Sequence, residues 1–456
     1  MTRTVLAARD SSPADRSRAD TVCDGKTDVA VLARAMSQDG AHVELCPGTL
    51  DLNAGFTAAG NRYLSPAAGV TVRGGGPAFT RLVAAREPCR IAVDAPGVTL
   101  AGLAGLGYVG IQDTADRFTC EEVSLSHSLD GRAYLDFGRK GGCTAAFMVW
   151  GRAGRTVRDL VFRCCDASMS YHHGFSLNLN GASEGGGFAD VIYDRCRALS
   201  CGSGFETSKK PGAVRGDRDW SCGFDIPDAG DIERMTVSDC LAVDCWQDGF
   251  HLDGSWTGHR QRAVDVRFER CRAVLCGQRS GTVPAELYQS GFYVQSARFV
   301  DCEAVRCRKA GFLCKNQETD GLVLEDCRDT GSAYGLVIEY GGTRAKVENF
   351  VSTGATRRAL QMVGNNADIG ITILGFAGAE RPVLLGVTER LEFVDAPGHA
   401  ADLERYRARG YRMVSNRIDI VTDHPEDLVE VHPPSRGKVD MGGMTVERCP
   451  PAPAIG

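Results

Sequence analysis

Short runs of alternating hydrophobic and polar residues fill the middle of the chain, and the alternation slips in phase every few residues. The stretch "RFVDCEAVRCRKAGFLC", which begins at Arg298, shows the unit: an apolar-x-apolar run, a C-x-A run, then glycine and phenylalanine followed by alternating residues. Alternation with a period of two is typical of strands, and phase slips are typical of corners between strands. The unit repeats around these cysteines: Cys165, Cys196, Cys240, Cys271, Cys302 and Cys327.

This repeat predicts the fold class. A unit of three short strands cannot bury its apolar face alone, so the units must stack on one another. Helical solenoids need apolar residues spaced by three and four along each helix, and these units lack that spacing. The pattern therefore predicts an all-β, single-stranded parallel β-helix, a solenoid with three sides.

The segment "CDGKTDVAVLARAMSQDGAHVELCPGTLDL", which begins at Cys23, resembles the amino-terminal cap of pectate-lyase-like right-handed β-helix proteins. In those proteins a D-G-x-T-D motif precedes a short amphipathic helix and a turn with proline and glycine. The matching residues are Asp24, Gly25, Thr27, Asp28, Gly40, Val43, Pro47 and Gly48. The central repeats are also similar to those of polysaccharide lyase family nine and its relatives. The resemblance implies a right-handed β-helix, a scaffold that hosts many activities.

The two ends of the solenoid are predicted to be capped. A helix over 27–36 would cover the first open end, because an uncovered strand edge invites aggregation. The repeat pattern fades near residue 376, and a helix over 398–411 with a strand over 416–423 would cap the far end. The predicted organisation is a flexible N-terminus (1–21), an N-terminal cap (22–50), a parallel β-helix (51–375), a C-terminal capping segment (376–431) and a Pro-rich tail (432–456).

Composition and charge mainly exclude classes of partner, location and cofactor. The 456 residues carry a net charge of −6 without a basic stripe, so no nucleic-acid partner is expected. No apolar run is long enough to span a membrane. The amino end shows no signal peptide, and 19 cysteines without one favour reduced thiols in a cytoplasmic protein. No glycine-rich nucleotide or phosphate motif is visible, so no cofactor of that kind is expected.

The residues after the repeated phenylalanines are the candidates for function. If these phenylalanines point into the core, the residue after each of them points outward. Neighbouring coils lie about 4.8 Å apart, so outward residues on consecutive coils can share one ligand. Several titratable types occupy these positions, which favours an active site over a merely solvated face. The predicted catalytic residues are His251, Asp253, Glu206, Tyr293 and Lys315.

Long insertions beside the G-F strands, such as 208–233 and 253–263, are predicted to wall a groove on the same face. Outward polar residues and loop aromatics would then contact the substrate. The alternative for each of them is ordinary solvation or packing of the loops onto the body. The predicted substrate-binding residues are His173, Asp248, Gln295, Glu339, Trp220 and Trp256.

Proton abstraction is the chemistry that these residue types favour. The reference pKa of histidine, about 6.5, suits proton transfer at neutral pH, so His251 is the predicted base or acid. Asp253 or Asp248 would orient its ring. Tyr293 would return a proton, and Lys315 would stabilise a developing anion. The predicted function is therefore that of a lyase or isomerase, acting on a polyhydroxylated, uronate-like small molecule or oligosaccharide.

Other functions stay open at this point. Glu206 paired with Asp253 or Asp225 would suit glycoside hydrolysis. The acidic loop with Asp225, Asp228 and Asp231 would suit calcium, although its spacing is not that of an EF-hand. Zinc is not predicted, because the recurring C-x4-C spacing differs from that of structural zinc sites. Two further alternatives are a secondary-metabolite isomerase, dehydratase or cyclase, and a non-catalytic carbohydrate-binding or tailspike-like β-helix.

Overall fold

The computed structural model describes residues 2–52, 63–83, 89–128, 145–180, 185–202, 221–227, 231–253, 263–280, 289–294, 297–315, 321–339, 344–363, 366–386, 417–423, 426–431 and 444–449. The chain divides into two compact units. The first unit comprises Met1–Thr207 with Trp220–Met235, and the second unit comprises Ser208–Asp219 with Thr236–Gly456.

Helices are few and short. Among the described residues, helix α1 spans Pro13–Arg18, helix α2 spans Asp28–Ala35, and a 3-10 turn spans Gln278–Ser280. Helix α2 confirms the helix predicted over 27–36, and it buries Val29 and Leu32. Within the described ranges, every helix is too short or too polar to cross a membrane.

Strands make up most of the described chain. In chain order they are β1 (Arg3–Ala7), β2 (Thr21–Val22), β3 (His42–Leu45), β4 (Gly48–Asp51), β5 (Tyr63–Leu64), β6 (Thr71–Arg73), β7 (Thr80–Val83), β8 (Cys89–Val93), β9 (Thr99–Ile111), β10 (Thr119–Ser126), β11 (Ala145–Arg152), β12 (Thr156–Arg163), β13 (Asp166–Ser168), β14 (His173–Asn180), β15 (Gly187–Asp194), β16 (Arg197–Leu199), β17 (Phe224–Pro227), β18 (Asp231–Ser238), β19 (Leu241–Val243), β20 (Phe250–Asp253), β21 (Ala263–Glu269), β22 (Arg272–Val274), β23 (Phe292–Val294), β24 (Arg298–Val300), β25 (Glu303–Val305), β26 (Ala310–Lys315), β27 (Val323–Glu325), β28 (Arg328–Thr330), β29 (Tyr334–Glu339), β30 (Arg344–Thr353), β31 (Arg358–Val363), β32 (Asn366–Leu374), β33 (Val383–Gly386), β34 (Arg417–Thr422), β35 (Val429–Val431) and β36 (Met444–Arg448).

The repeating coil consists of three strands, and each strand pairs in parallel with the equivalent strand of the next coil. In the first unit β11 pairs with β14, β12 with β15 and β13 with β16. In the second unit β21 pairs with β24, β22 with β25 and β23 with β26. Each unit is a right-handed parallel β-helix, as the repeat predicted.

Single residues with left-handed backbone make the corners. Arg270 and Asp301, which precede Cys271 and Cys302, have φ angles of 52° and 51°. This conformation costs a non-glycine residue roughly 1–2 kcal/mol. It is stabilised by a bond to the next coil, because the Arg270 N–H donates to the carbonyl oxygen of Val300 at 2.9 Å. The phase slips in the sequence are these one-residue corners.

The six repeat cysteines, here called the ladder cysteines, are at most 1% exposed and have free thiols. Their thiols bond from coil to coil: Cys271 Sγ donates to the carbonyl oxygen of Val237 at 3.2 Å, and Cys302 Sγ donates to that of Phe268 at 3.5 Å. Burial, together with the neighbouring Cys271 thiol, raises the pKa of Cys302 well above its ordinary value. The prediction of a buried thiol ladder is confirmed.

The ladder thiols should resist labelling in the native protein, because at most 1% of each ladder cysteine is exposed and a reagent in water cannot reach the thiol. A water-soluble disulfide reagent added to the native protein should leave Cys271 and Cys302 unmodified, whereas the half-buried Cys164 and Cys449 should react with it. The Cys164→Ser variant should lose one fast-reacting thiol and leave the rest of the time course unchanged. Peptide mapping that found Cys271 or Cys302 modified without denaturant would contradict the ladder.

The amino end differs from its prediction as a flexible segment over 1–21. Strand β1 pairs in parallel with β3, and the Asp20 carboxylate accepts a hydrogen bond from the Val5 N–H at 2.7 Å. Val5, Ala7 and Cys46 pack together in a small buried cluster. One five-residue strand among charged residues gives no periodic signal, so the sequence pattern could not reveal it.

The carboxy end also continues the coils beyond residue 375. Strands β33, β34, β35 and β36 each pair in parallel with a strand of the preceding coil. Strand β34 confirms the strand predicted over 416–423, whereas β36 lies in the segment predicted to be a loose tail. The helix predicted over 398–411 lies outside the described residues.

One acidic side chain lies inside the solenoid. Asp329 takes the place that Ala304 has in the preceding coil, and it is fully buried. Its Oδ1 accepts a hydrogen bond from the Ser332 hydroxyl at 2.5 Å. A Cβ atom on Gly311 would lie 2.4 Å from the same oxygen, so the close approach requires glycine there. Burial raises the pKa of Asp329 to about 8, even though the Ser332 bond opposes the shift.

Asp329 should therefore make the stability of the second unit depend on pH. Its pKa in the folded state, about 8, lies above the value of about 3.9 in an unfolded chain. The stabilising contribution of the protonated form is complete below the unfolded pKa and falls by about 1.4 kcal/mol per pH unit until the folded pKa is passed. Asp329→Asn, which keeps the shape without the charge, should be more stable than the natural protein at pH 9 and lose this advantage at pH 5. Urea melts at both pH values measure the difference, and an unchanged difference would contradict the buried neutral acid.

Candidate functional site

Strand β20 carries the strongest candidate in the second unit. A Cβ atom on Gly249 would lie 2.7 Å from the carbonyl oxygen of Gly291, so the coil-to-coil packing requires the glycine of the G-F phrase. Phe250 stacks on Phe292 inside the coil, with ring centroids 4.9 Å apart. Because side chains alternate along a strand, His251 points to the opposite face of the sheet.

The ring of His251 is held by a carboxylate. Its Nδ1 lies 2.9 Å from Oδ2 of Asp248, and both side chains are completely enclosed. The other oxygen, Oδ1 of Asp248, accepts a hydrogen bond from the Ser290 N–H at 2.6 Å. The carboxylate is therefore fixed at both oxygens, by its own coil and by the next one.

This arrangement assigns the tautomer of His251. A carboxylate only accepts hydrogen bonds, so the nitrogen that faces Asp248 must carry the proton. In the neutral ring the proton is then on Nδ1, and Nε2 has the lone pair. A carboxylate that orients an imidazole in this way leaves the second nitrogen as the one able to take up a proton.

An aromatic ring supports the same imidazole. His251 and Tyr293 are opposite each other in the register of β20 and β23, and their rings stack with centroids 4.5 Å apart and an angle of 24°. The structure thus brings together three residues predicted for the site: Asp248, His251 and Tyr293.

Exposure at these positions differs from the expected solvated groove. The residues that follow the repeated phenylalanines form an outward column. All the described members of this column are buried, so this face of the sheet is covered rather than open to water. The alternation of the strand sets the direction of a side chain, but it says nothing about what lies above the sheet. The buried members of the column are Ser176, His251, Tyr293, Leu313 and Val337.

Three polar residues that were not among the predicted site residues are buried in the same coils. Gln289 and Ser290 are at most 1% exposed, and Lys309 is 5% exposed. The Lys309 N–H donates to the carbonyl oxygen of Gln289 at 3.0 Å, which places them on consecutive coils. Among the residues that the structure describes, Gln289 Oε1 and Ser290 Oγ have no hydrogen-bond partner. A column of polar residues just before the G-F phrase was the signal in the sequence.

The first unit contains a second buried histidine and aspartate. His173 Nε2 lies 3.3 Å from Oδ2 of Asp225, and the Ser176 hydroxyl donates to the same oxygen at 3.2 Å. The Cys222 N–H donates to Nδ1 of His173 at 3.2 Å. Both ring nitrogens of His173 thus have partners.

The register of the first unit corrects the predicted column. Phe175 pairs with Phe224 and Ser176 pairs with Asp225, so the coil continues through "CGFDI" rather than through "SGFET". Both segments carry the G-F phrase, and the intervening insertion hid which of them follows. The position beside Ser176 therefore belongs to Asp225, where Glu206 was predicted. Glu206 itself lies outside the described residues.

Several predicted residues are untested by the structure. Gln295, Trp220, Trp256 and Asp228 lie outside the described residues. Asp253, Lys315 and Glu339 lie at the ends of β20, β26 and β29, and their side chains lie outside the described part. Lys315 and Glu339 are opposite each other in the register.

The two described aspartates of the acidic loop predicted for calcium differ in their exposure to solvent. Asp225 is 2% exposed and faces His173, whereas Asp231 is exposed. Calcium binds six to eight oxygen ligands, and a buried carboxylate beside an imidazole nitrogen does not have that character.

A further histidine of the first unit is structural. His127 Nε2 lies 3.0 Å from the carbonyl oxygen of Gly107, and its Nδ1 accepts the Tyr171 N–H at 2.9 Å. Burial lowers its pKa to about 4. The ring is therefore neutral and bonded on both sides at neutral pH.

Known proteins resemble the chain in structure only. No protein-family model and no curated protein sequence matches it. The Geobacillus virus E2 ORF18 protein is similar with a TM-score of 0.41 and 13% identity, over 78% of this chain and 60% of that protein. The Dettilon tailspike protein has a TM-score of 0.40 and 11% identity, over 84% of this chain and 66% of the tailspike. A PL6 alginate lyase in complex with a trisaccharide has a TM-score of 0.43 and 11% identity, over 98% of this chain and 95% of the lyase. The chain thus spans less than two thirds of the length of the first two proteins.

Proposed function

We propose that the protein is an enzyme that abstracts a proton from a polyhydroxylated, uronate-like substrate, with His251 as the proton acceptor. The observation that carries this proposal is the Asp248–His251 pair, with 2.9 Å between Nδ1 and Oδ2 and no exposed side-chain surface. An oriented imidazole is the most common group for acid–base catalysis at neutral pH. The substrate class comes from the resemblance of the repeats to those of polysaccharide lyases.

In the proposed reaction, Nε2 of His251 takes the proton from the carbon next to the substrate carboxylate. The electron pair of the broken C–H bond moves toward the carboxylate and forms an enolate. In a lyase, this pair then forms a carbon–carbon double bond and expels the oxygen substituent of the adjacent carbon, which takes a proton from the Tyr293 hydroxyl as it leaves. In an isomerase, the same carbon takes a proton back on its opposite face.

Each neighbour of His251 has a role in this reaction. Asp248 is a positioning residue, because it fixes the tautomer and stabilises the imidazolium that forms. Tyr293 supports the ring and offers a hydroxyl for the returning proton. Ser290 Oγ and Gln289 Oε1 are buried polar atoms of the same coils, and substrate hydroxyls would satisfy them. Lys309 supplies a buried amino group in the next coil, which in its protonated form would suit an anionic intermediate.

Burial also fits this chemistry. Low-dielectric surroundings strengthen the interaction between the carboxylate and the imidazolium. His251 is enclosed in this structure, so the substrate must enter when the outer face of the sheet opens. The reaction then proceeds with water excluded.

A panel of polyuronates tests the proposal. Polygalacturonate and alginate, incubated with the protein in deuterated water, should give either unsaturated uronates that absorb in the ultraviolet or uncleaved chains that gain deuterium. The first product identifies a lyase and the second an isomerase. A neutral glucan, which lacks the carboxylate, is the control and should show neither change. If neither polyuronate nor their oligosaccharides reacted, the uronate assignment would be wrong.

A further inference from the structure

Three metal-ligating side chains of different kinds converge in the first unit. The ligand atoms of His173, Cys222 and Asp225 all lie within 4.8 Å of one another. All three residues are buried, with 5%, 0% and 2% exposure. Cys222 belongs neither to the ladder cysteines nor to the C-x4-C pattern, and it occupies the position just before the glycine and phenylalanine of its unit.

We propose that His173, Cys222 and Asp225 bind a divalent transition metal of the zinc type. This site goes beyond the proposed function, because it uses none of the residues assigned to proton abstraction. A nitrogen, a sulfur and a carboxylate oxygen form a donor set that zinc accepts, usually with four ligands in all. A thiolate and a carboxylate would together balance the two positive charges of the ion, so loading leaves no net charge in the buried site.

The spacing of the donors fits coordination better than a simple ion pair. His173 Nε2 and Asp225 Oδ2 are 3.3 Å apart, whereas a charge-assisted hydrogen bond between such groups is about 2.7–2.9 Å long. Two ligands bound to one tetrahedral zinc ion at about 2.0–2.1 Å are about 3.3 Å from each other. The observed separation therefore equals one edge of a zinc tetrahedron.

The carboxylate is already oriented from outside the cluster. Ser176 donates its hydroxyl to Oδ2 of Asp225 at 3.2 Å. Ligands of metal ions are commonly held by such hydrogen bonds, which fix the direction of the donor atom. The register of β14 and β17 also brings strands from consecutive coils together here, so the rigid sheet sets the spacing of the donors.

Protons must leave when the ion binds. The Cys222 N–H donates to Nδ1 of His173, so the ring proton of the metal-free site is on Nε2. Coordination by Nε2 requires this proton to leave or to move to Nδ1, and the long 3.2 Å contact with the Cys222 N–H is then given up. The Cys222 thiol also loses its proton. Metal affinity should therefore rise with pH, with release of protons on loading.

Cobalt(II) is a suitable probe, because a thiolate ligand gives it a charge-transfer band in the near ultraviolet. The full-length protein should bind one cobalt ion per chain with this band, and zinc should displace the cobalt and abolish the band. Cys222→Ser should lose the band, and Asp225→Asn should weaken cobalt binding at least tenfold. Cys201→Ser is the matched control, since Cys201 is a buried cysteine of the same unit whose thiol donates to the carbonyl oxygen of Ala167.

The natural protein alone also decides the question if Cys222→Ser fails to fold. Saturating zinc should raise the melting temperature of the natural protein, because the ion binds the folded site, and chelation should reverse the rise. Cobalt binding without the thiolate band, an equal band in Cys222→Ser, or a melting temperature that zinc leaves unchanged would each overturn the site.

Discussion

Replacing Phe250 by alanine is expected to destabilise the second unit by about 3–5 kcal/mol, the usual cost of removing a fully buried phenylalanine. Phe250 is completely buried and stacks on Phe292, which stacks on Phe312 at 4.6 Å in the next coil. The column cannot close around the missing ring, because each coil is tied to its neighbours by parallel strand pairing. Urea unfolding, followed by circular dichroism, measures the loss.

Phe79→Ala is the matched control for this prediction. Phe79 is 63% exposed, so its removal should change the free energy of unfolding by about 0.5 kcal/mol or less. A similar small effect for Phe250→Ala would contradict the inward stack, and with it the direction assigned to His251.

Replacing His251 by alanine is expected to lower both activity and stability. Loss of the proton acceptor should reduce turnover about a hundredfold or more. Stability should fall by about 3 kcal/mol or more, because the Asp248 carboxylate stays buried without its ring N–H donor. The burial of His251 is the reason for the second effect, since an exposed histidine could be removed at little cost.

His251→Asn separates the two effects. The amide N–H of asparagine can take the place of Nδ1–H and donate to Asp248, but the side chain has no second nitrogen to accept a proton. This variant should keep a melting temperature close to that of the natural protein and still lose turnover. Tyr293→Phe, which keeps the stacked ring, should change turnover only through the missing hydroxyl. A large drop in the melting temperature of His251→Asn would show that the ring itself is needed for packing.

The repeated parts of the fold could be predicted because each residue type meets one packing requirement of the coil. Cys271 and Cys302 fill small buried positions at corners, Phe250 and Phe292 stack inside, and Gly249 allows the close approach of the next coil. The same requirement recurs in every coil, so the sequence shows it several times. Strand β1 has no such repetition, and its pairing with β3 depends on contacts distant in sequence.

The direction of the His251 side chain could be predicted from the sequence, but its burial could not. Alternation after Phe250 placed His251 on the outer face, whereas Asp248 precedes the strand, which begins at Phe250, so their proximity did not follow from alternation. Burial of this face was not predictable, because it depends on chain segments above the sheet rather than on the strand itself. The position of Asp225 beside Ser176 was not predicted, since a long insertion concealed this pairing.

Asp329 shows a third limit of the sequence pattern. It stands where the C-x-A run has alanine in other coils, and an acidic residue there would normally indicate an exposed position. The structure buries it with Ser332 as partner. A departure from the repeat thus marks a special environment, but the pattern alone cannot say whether that environment is exposed or enclosed.

The most direct test of the acid–base centre is the turnover of His251→Asn beside that of the natural protein, on the polyuronate that the panel identifies. Deuterium uptake at the carbon next to the carboxylate, or formation of the unsaturated product, gives the rate of proton abstraction itself. The Asp248–His251 assignment predicts a loss of about a hundredfold or more in this rate, with a melting temperature close to that of the natural protein. Full turnover in His251→Asn would contradict it, because proton abstraction would then belong to another residue.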